Sequence, residues 1–400
     1  MTPRDRIIKA LNHEEPDCIP RDLGATESSS LSAFSFIKVR DYLKLDEIPV
    51  VYEPYQYAAY TSDAIGKKYS IDTKNLTPEP RSWKIIDHPF GFKAKLPEKW
   101  NEVYNSDGST SIINTFGGII ARRPSKGYYF DPVNPPLENI DDFNQISSHK
   151  DTIFSFDWPS FADESLEELT QRAIVMHETG QFVVFNLCCH ILAAGQLLRG
   201  YENFMVDLMC DETMVHKVLE LLIEGYIMRI RRLAPLLKDH IDMVLLNDDL
   251  GTQKGPMLSP GLYRKMIKPY QQKLFSAVKK EFKKPILFHS CGAINEFIPD
   301  LIEIGVDAIN PVQLSANGMD IKEMKKSFGN SITFWGGGID TQSVLNHGTQ
   351  HDVKESIKRN IDILAPGGGF VFCQVHNIQA DVPIENINAM YEALDLYGGY

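Results

Sequence analysis

Four hundred residues, 43% hydrophobic and 24% charged, have the balance of a soluble globular chain with material for a sizeable core. A net charge of −12 argues against nucleic acid or an anionic membrane as partner, and no apolar run reaches the roughly 20 residues that span a bilayer. Six cysteines over this length read as thiols, metal ligands or core residues, not as a disulfide framework. The polar start Met1-Thr2-Pro3-Arg4 lacks the apolar stretch of a signal peptide, so a cytoplasmic location is the expectation.

In chain order, the first strand signals are Ile19–Leu23 and Pro49–Tyr52. Residues 60–158 then break the rhythm. Turn signals at Asp87-His88-Pro89-Phe90-Gly91, Asn105-Ser106-Asp107-Gly108 and Phe116-Gly117-Gly118 separate short β-like runs. This stretch reads as an inserted β-hairpin region, either a lid or a surface decoration. From there strands alternate with helices. Strand signals fall at Phe182–Leu187, Met243–Leu246, Ile286–Phe288, Val306–Ile309, Ile332–Trp335 and Phe370–Phe372. Helices are expected from Ser259-Pro260 to about Phe282, over Ile294–Ile304 to the Gly305 cap, over Asp352–Leu364, and from Pro383 to about Tyr397. Eight such strands predict one α/β domain over residues 1–400, a (β/α)8 TIM barrel. An open doubly wound sheet is the alternative, since strand order is not written in the sequence.

Barrel chemistry sits at the C-terminal strand ends, and these ends are polar. They read Asn247-Asp248-Asp249, His289-Ser290-Cys291, Asn310-Pro311-Val312-Gln313, Gly336-Gly337-Gly338-Ile339-Asp340, and Cys373 followed by His376. His289 and Cys291, two apart on an extended segment, face the same side. With Cys373 they supply one imidazole and two thiolates, the ligand chemistry of zinc with one position open. Core packing of both cysteines is the competing explanation. Asp248 and Asp249 are candidates to bind substrate, move a proton or orient a ligand, and His376 to manage a proton. The glycine run with Asp340 is a candidate cofactor cradle, though a tight turn explains it equally well. Cys188-Cys189-His190 is a rival metal cluster, but neighbouring strand residues point apart, so at least one cysteine belongs to the core. Tyr52, Tyr55, Tyr57, Tyr60, Phe34 and Phe36 line a pocket or fill the core.

Several segments resemble the uroporphyrinogen decarboxylase superfamily. They are Ala10-Leu11-Asn12-His13-Glu14-Glu15-Pro16-Asp17, Asn247-Asp248-Asp249-Leu250-Gly251-Thr252-Gln253, His289-Ser290-Cys291-Gly292, Asn310-Pro311-Val312-Gln313 and His376-Asn377-Ile378-Gln379-Ala380-Asp381-Val382-Pro383. The resemblance covers nearly the whole chain and implies a (β/α)8 barrel. Decarboxylases of that superfamily carry an arginine-rich segment near the N-terminus, whereas Gly24-Ala25-Thr26-Glu27-Ser28-Ser29-Ser30 holds no arginine. The branch of zinc methyltransferases that work with corrinoid proteins has the pattern matched by His289, Cys291 and Cys373. Gln313 stands where related methionine synthases place a glutamate ligand.

The resemblance implies a zinc-dependent methyltransferase. The expected reaction passes a methyl group from a methoxylated, aromatic donor to the cob(I)alamin of a separate corrinoid protein. Cobalamin is placed on a partner because no Asp-x-His-x-x-Gly motif occurs in the chain. The alternatives are methylation of a thiol such as coenzyme M, a metal-free decarboxylase, and a non-catalytic corrinoid-binding barrel. A homodimer is one option for the assembly.

Overall fold

The computed structural model describes every residue except 115, 141 and 157–160. Seven parallel strands run side by side: β1 Thr73–Leu76, β2 Phe182–Asn186, β3 Met243–Asn247, β4 Ile286–His289, β5 Ala308–Asn310, β6 Thr333–Trp335 and β7 Phe370–Val371. Each pairs with its sequence neighbour. Residues 20–22 close the ring between β7 and β1. The Phe372 N–H donates to Pro20 O and the Asp22 N–H to Phe372 O, both at 2.8 Å. On the other side the Asp72 N–H donates to Arg21 O at 2.9 Å. The fold is therefore a (β/α)8 barrel whose first stave is held by isolated backbone bonds.

Alternation along the strands builds the core. Phe182, Val184, Met243, Leu245, Leu287, Ala308, Trp335, Val371 and Cys373 point into the barrel. Ile7 and Ala10 of the helix Pro3–Leu11 pack in the same cluster. Val183, Phe185, Val244, Leu246, Phe288 and Ile309 point outward and meet the surrounding helices. Strands covered on both faces lose the polar alternation that an exposed sheet would carry.

Two sequence-based strand assignments differ from the structure. Pro49–Tyr52 is not a stave. Val51–Glu53 instead joins Ala58–Ala59 and Leu31–Ser32 in a small antiparallel sheet. The second stave is Thr73–Leu76, inside the stretch assigned to the hairpin insertion. Its sequence Thr-Lys-Asn-Leu carries no apolar run, and four paired residues beside β2 make it a strand. The antiparallel hairpins themselves run from Trp83 to Pro132 and share a core around Tyr57, Trp100, Ile112 and Phe130. The expected boundary at Trp158 lies outside the described residues.

The helix expected from Ser259 to Phe282 is two, Pro260–Met266 and Lys268–Phe282. Pro269 has no N–H to continue the first helix and sits in the first turn of the second. The helix expected over Ile294–Ile304 begins with a 3-10 turn at Asn295–Phe297 and ends as expected at Gly305, whose φ is +96°. Among the described residues no helix is long and apolar enough to cross a membrane.

Candidate metal centre at the barrel mouth

The ends of β3 and β4 leave the barrel as two loops in backbone contact. Gly251 and Gly292 make the approach feasible. A Cβ on Gly292, whose φ is +84°, would lie 2.3 Å from the Gly251 carbonyl carbon, and one on Gly251 would lie 2.6 Å from Ala293 N. Hydrogen bonds lock the pair: Leu250 N–H to Ser290 Oγ at 2.9 Å, Cys291 N–H to Asp249 Oδ1 at 2.8 Å, and Gly292 N–H to Gln313 Oε1 at 2.6 Å.

This locking places Asp249, His289 and Cys291 together, with one ligand atom of each within 4.8 Å of the others. His289 Nε2 is 3.6 Å from Cys291 Sγ and 3.7 Å from Asp249 Oδ1. Metal–sulfur bonds of about 2.3 Å and metal–nitrogen or –oxygen bonds of about 2.0–2.1 Å give tetrahedral edges of about 3.3–3.6 Å. The three atoms are thus close to the corners that a zinc ion requires. Zinc accepts this N, S, O donor set.

The tautomer of His289 is set from behind. The Asn310 amide donates from Nδ2 to Trp335 O at 2.9 Å, which fixes its orientation. Its Oδ1 accepts from Ser28 Oγ at 2.6 Å and from His289 Nδ1 at 2.8 Å. The proton therefore sits on Nδ1, and Nε2 keeps its lone pair for a metal. Burial and the charge of Asp249 hold the Cys291 thiol well above its usual range. A divalent cation between these atoms reverses that balance and favours thiolate.

His376 lies at the same mouth. Its Nδ1 is 2.6 Å from Asn377 Oδ1 and 3.4 Å from the Tyr129 hydroxyl. Asn377 is oriented by its own Nδ2–H bond to Gln56 Oε1 at 3.2 Å, so Nδ1 of His376 is the donor and Nε2 the acceptor. Burial lowers its basicity, and His289 nearby lowers it further. A neutral imidazole here is a candidate proton acceptor beside the cluster.

Cys373 is elsewhere. It is fully buried in the barrel interior, with Asn310 Nδ2 at 3.7 Å from its Sγ. The two ends of the Asn310 side chain keep His289 and Cys373 apart, and Cys373 is not part of the ligand group. Gln313 spends its carbonyl on Gly292, so it braces the loop.

The two adjacent aspartates also separate. Asp249 is half exposed and belongs to the ligand group. Asp248 is 2% exposed and caps the helix Leu192–Arg199. Its carboxylate accepts from the N–H groups of Ile191, Leu192 and Ala193 at 2.8–3.1 Å and from Gln271 Nε2 at 2.9 Å. With four donors satisfied, it is a structural anchor.

Gly336, Gly337 and Gly338 serve close packing. A Cβ on Gly336 would stand 2.2 Å from Pro311 O, and one on Gly338 would stand 2.3 Å from the Phe372 ring. Asp340 accepts from the backbone of Gln342 and Ser343 and caps that turn. None of the four lines the cavity beside the ligand group.

That cavity has a volume of about 370 Å³. Its walls include Asn186, His190, Asn247 and the ligand residues Asp249 and His289. Tyr55, Tyr129 and Phe130 give it aromatic faces, and Glu27 and Glu53 give it carboxyl groups. Cys188 lines it too, whereas Cys189 is buried in the apolar core. Glu27 was identifiable in principle, because it follows the first stave at the C-terminal face, but no motif marks it. Tyr129 comes from the hairpin region, and nothing in its local sequence points to the barrel mouth.

A family model described as uroporphyrinogen decarboxylase (URO-D) matches residues 165–397. Over 150 residues the chain is 30% identical to the methylcobamide:CoM methyltransferase MtbA of Methanosarcina acetivorans. That match spans 36% of this chain and 40% of the relative's length. The fold is similar to that of a methyltransferase from Methanosarcina mazei, over 99% of both chains, with a TM-score of 0.61 at 14% identity. The family match takes in six of the eight staves and the loops that carry Asp249, His289, Cys291 and His376. The chain belongs to the uroporphyrinogen decarboxylase family.

Proposed function

We propose that this protein is a zinc-dependent methyltransferase that passes a methyl group from a small methoxylated, aromatic donor to the cob(I)alamin of a separate corrinoid protein. The observation that carries the reading is the tetrahedral spacing of His289 Nε2, Cys291 Sγ and Asp249 Oδ1 beside an aromatic-walled cavity. A bound zinc ion would supply Lewis acidity toward an ether oxygen. His289, Cys291 and Asp249 would hold it and leave the fourth tetrahedral position open, with His376 at the same mouth to manage a proton. Asn310 and Ser28 keep His289 in the correct tautomer. Tyr55, Tyr129 and Phe130 would stack on the donor and exclude water from it.

The MtbA match favours a second reading, methylation of a thiol such as coenzyme M, with zinc lowering the thiol pKa. Coenzyme M carries a sulfonate. The cavity presents Glu27, Glu53, Asp248 and Asp249, and no lysine or arginine among its lining residues. The same charge pattern disfavours the polycarboxylate substrate of a decarboxylase.

The experiment is anaerobic. Enzyme, guaiacol and a reduced corrinoid protein are mixed, and cob(I)alamin absorbance is followed. Loss of that absorbance, dependent on enzyme and zinc, is expected. Demethylation without any corrinoid would overturn the reading, and turnover only with methylcobalamin and coenzyme M would replace it with the thiol reaction.

A further inference from the structure

The cavity beside Asp249, His289 and Cys291 is rich in acceptors, and no lysine or arginine lines it among the described residues. Glu27 is part-buried, with Oε1 accepting from Asn186 Nδ2, and it follows the first stave. Glu53 enters from the small antiparallel sheet, its two oxygens accepting from Tyr55 N–H at 3.2 Å and Gln56 N–H at 2.8 Å. Asn247 adds a third acceptor, since its Oδ1 is buried with no donor. The walls between these groups include the rings of Tyr55, Tyr129 and Phe130.

Among the described residues no lysine or arginine lines this space. Arg123 stacks on Phe130 at 4.6 Å from the ring centroid but does not line the cavity. Burial keeps His190 neutral, with its pKa pushed down to about 3. Burial, with Glu27 nearby, pushes Glu53 up to about 8. The two part-buried acids line one cavity, and an ammonium group between them would favour the carboxylate form of both. Aromatic faces and carboxylates together are the chemistry that holds an ammonium group.

We propose that the cavity selects a donor bearing an ammonium group, held between Glu27, Glu53 and the Asn247 carbonyl against the aromatic wall. The transferred methyl and its direction rest on the preceding reading; the charge selection does not. An ammonium group supplies donors only, which matches the three acceptor side chains once Glu53 has released its proton to solvent. A carboxylate, sulfonate or phosphate on the ligand would meet the acids and is excluded.

Calorimetric titration tests this with vanillylamine, guaiacol and vanillate, which share one methoxyphenol ring and differ in charge. Methylammonium carries the charge and the N–H donors without the ring. Binding is measured on zinc-loaded and metal-free protein, with no corrinoid present. Vanillylamine is expected to bind at least about tenfold more tightly than guaiacol, with vanillate weakest, and methylammonium should compete with it. Glu53→Gln and Glu27→Gln, near-isosteric changes checked for folding by circular dichroism, should each cut the preference by about tenfold. Vanillate binding as well as vanillylamine overturns the proposal. So does a preference that survives both substitutions, or the failure of both cations to bind wild type. If the charge preference holds but no methyl reaches a corrinoid, the methyltransferase reading fails alone. If guaiacol and vanillate are demethylated without charge preference, this inference fails alone.

Discussion

Two pairs of the same residue types behave oppositely at this barrel mouth. On the rim, Asp249 and Cys291 sit on loops that lean on each other and turn their side chains toward His289. In the buried shell behind, Asp248 is the adjacent residue along the chain and Cys373 follows β7, three strands from β4, yet both are consumed by the fold. Asp248 ends a helix by accepting four hydrogen bonds, and Cys373 fills the barrel interior among Val371, Trp335 and Leu287. Residue type alone does not make a ligand. Access to a shared point in space does, and that depends on which way each loop turns once the strand has ended.

The sharpest way to break this comparison is to exchange the cysteines' expected roles. Cys291→Ala should lower zinc affinity by more than about 100-fold, because even an outer partner of a zinc ligand is worth about 10–100-fold. Cys373→Ala should keep one zinc per chain and lose only about 1 kcal/mol of stability, as expected for a small buried group. Elemental analysis after dialysis against a weak chelator reads both. Zinc lost from the Cys373 variant and kept by the Cys291 variant would reverse the assignment.

The aspartates offer the next largest contrast. Asp248→Ala strips the acceptor from three backbone N–H groups and Gln271, and should cost about 3 kcal/mol in a denaturant titration. Asp249→Ala should leave the midpoint nearly unchanged and weaken zinc binding. Equal destabilisation by the two substitutions would erase the distinction between rim and shell.

The smallest effect concerns the support behind His289. Ser28→Ala removes one of the two donors on Asn310 Oδ1 and leaves the amide freer to turn. Zinc affinity should fall by about tenfold, at the lower end for an outer-partner change, with stability changed by no more than about 1 kcal/mol. Competition with a metal-sensitive dye measures it. An unchanged affinity would mean that Trp335 alone holds Asn310 in place.

Much of the barrel is legible in the chain because its physics is local. The apolar runs that became β2 to β7 are buried on both faces, and such strands cannot hide in a sequence. The helix ends at Gly305 and Pro383 follow from backbone chemistry that a single residue imposes. Even the pairing of His289 with Cys291 follows from the two-residue period of extended chain.

What the chain could not reveal are features that exist only between segments. Thr73–Leu76 is a strand because β2 and residues 20–22 stand beside it, not because of its own side chains. Glu27, Glu53 and Tyr129 reach one cavity from three separate stretches, and only closure of the barrel with the hairpins over it brings them together. Asp249, and not Cys373, stands within reach of His289 and Cys291 for the same reason. The sequence by itself determined which residues could bind a metal, since that is a property of donor atoms. The tertiary structure decided which of them stand together, because coordination would require several side chains to converge within a few ångströms of one point.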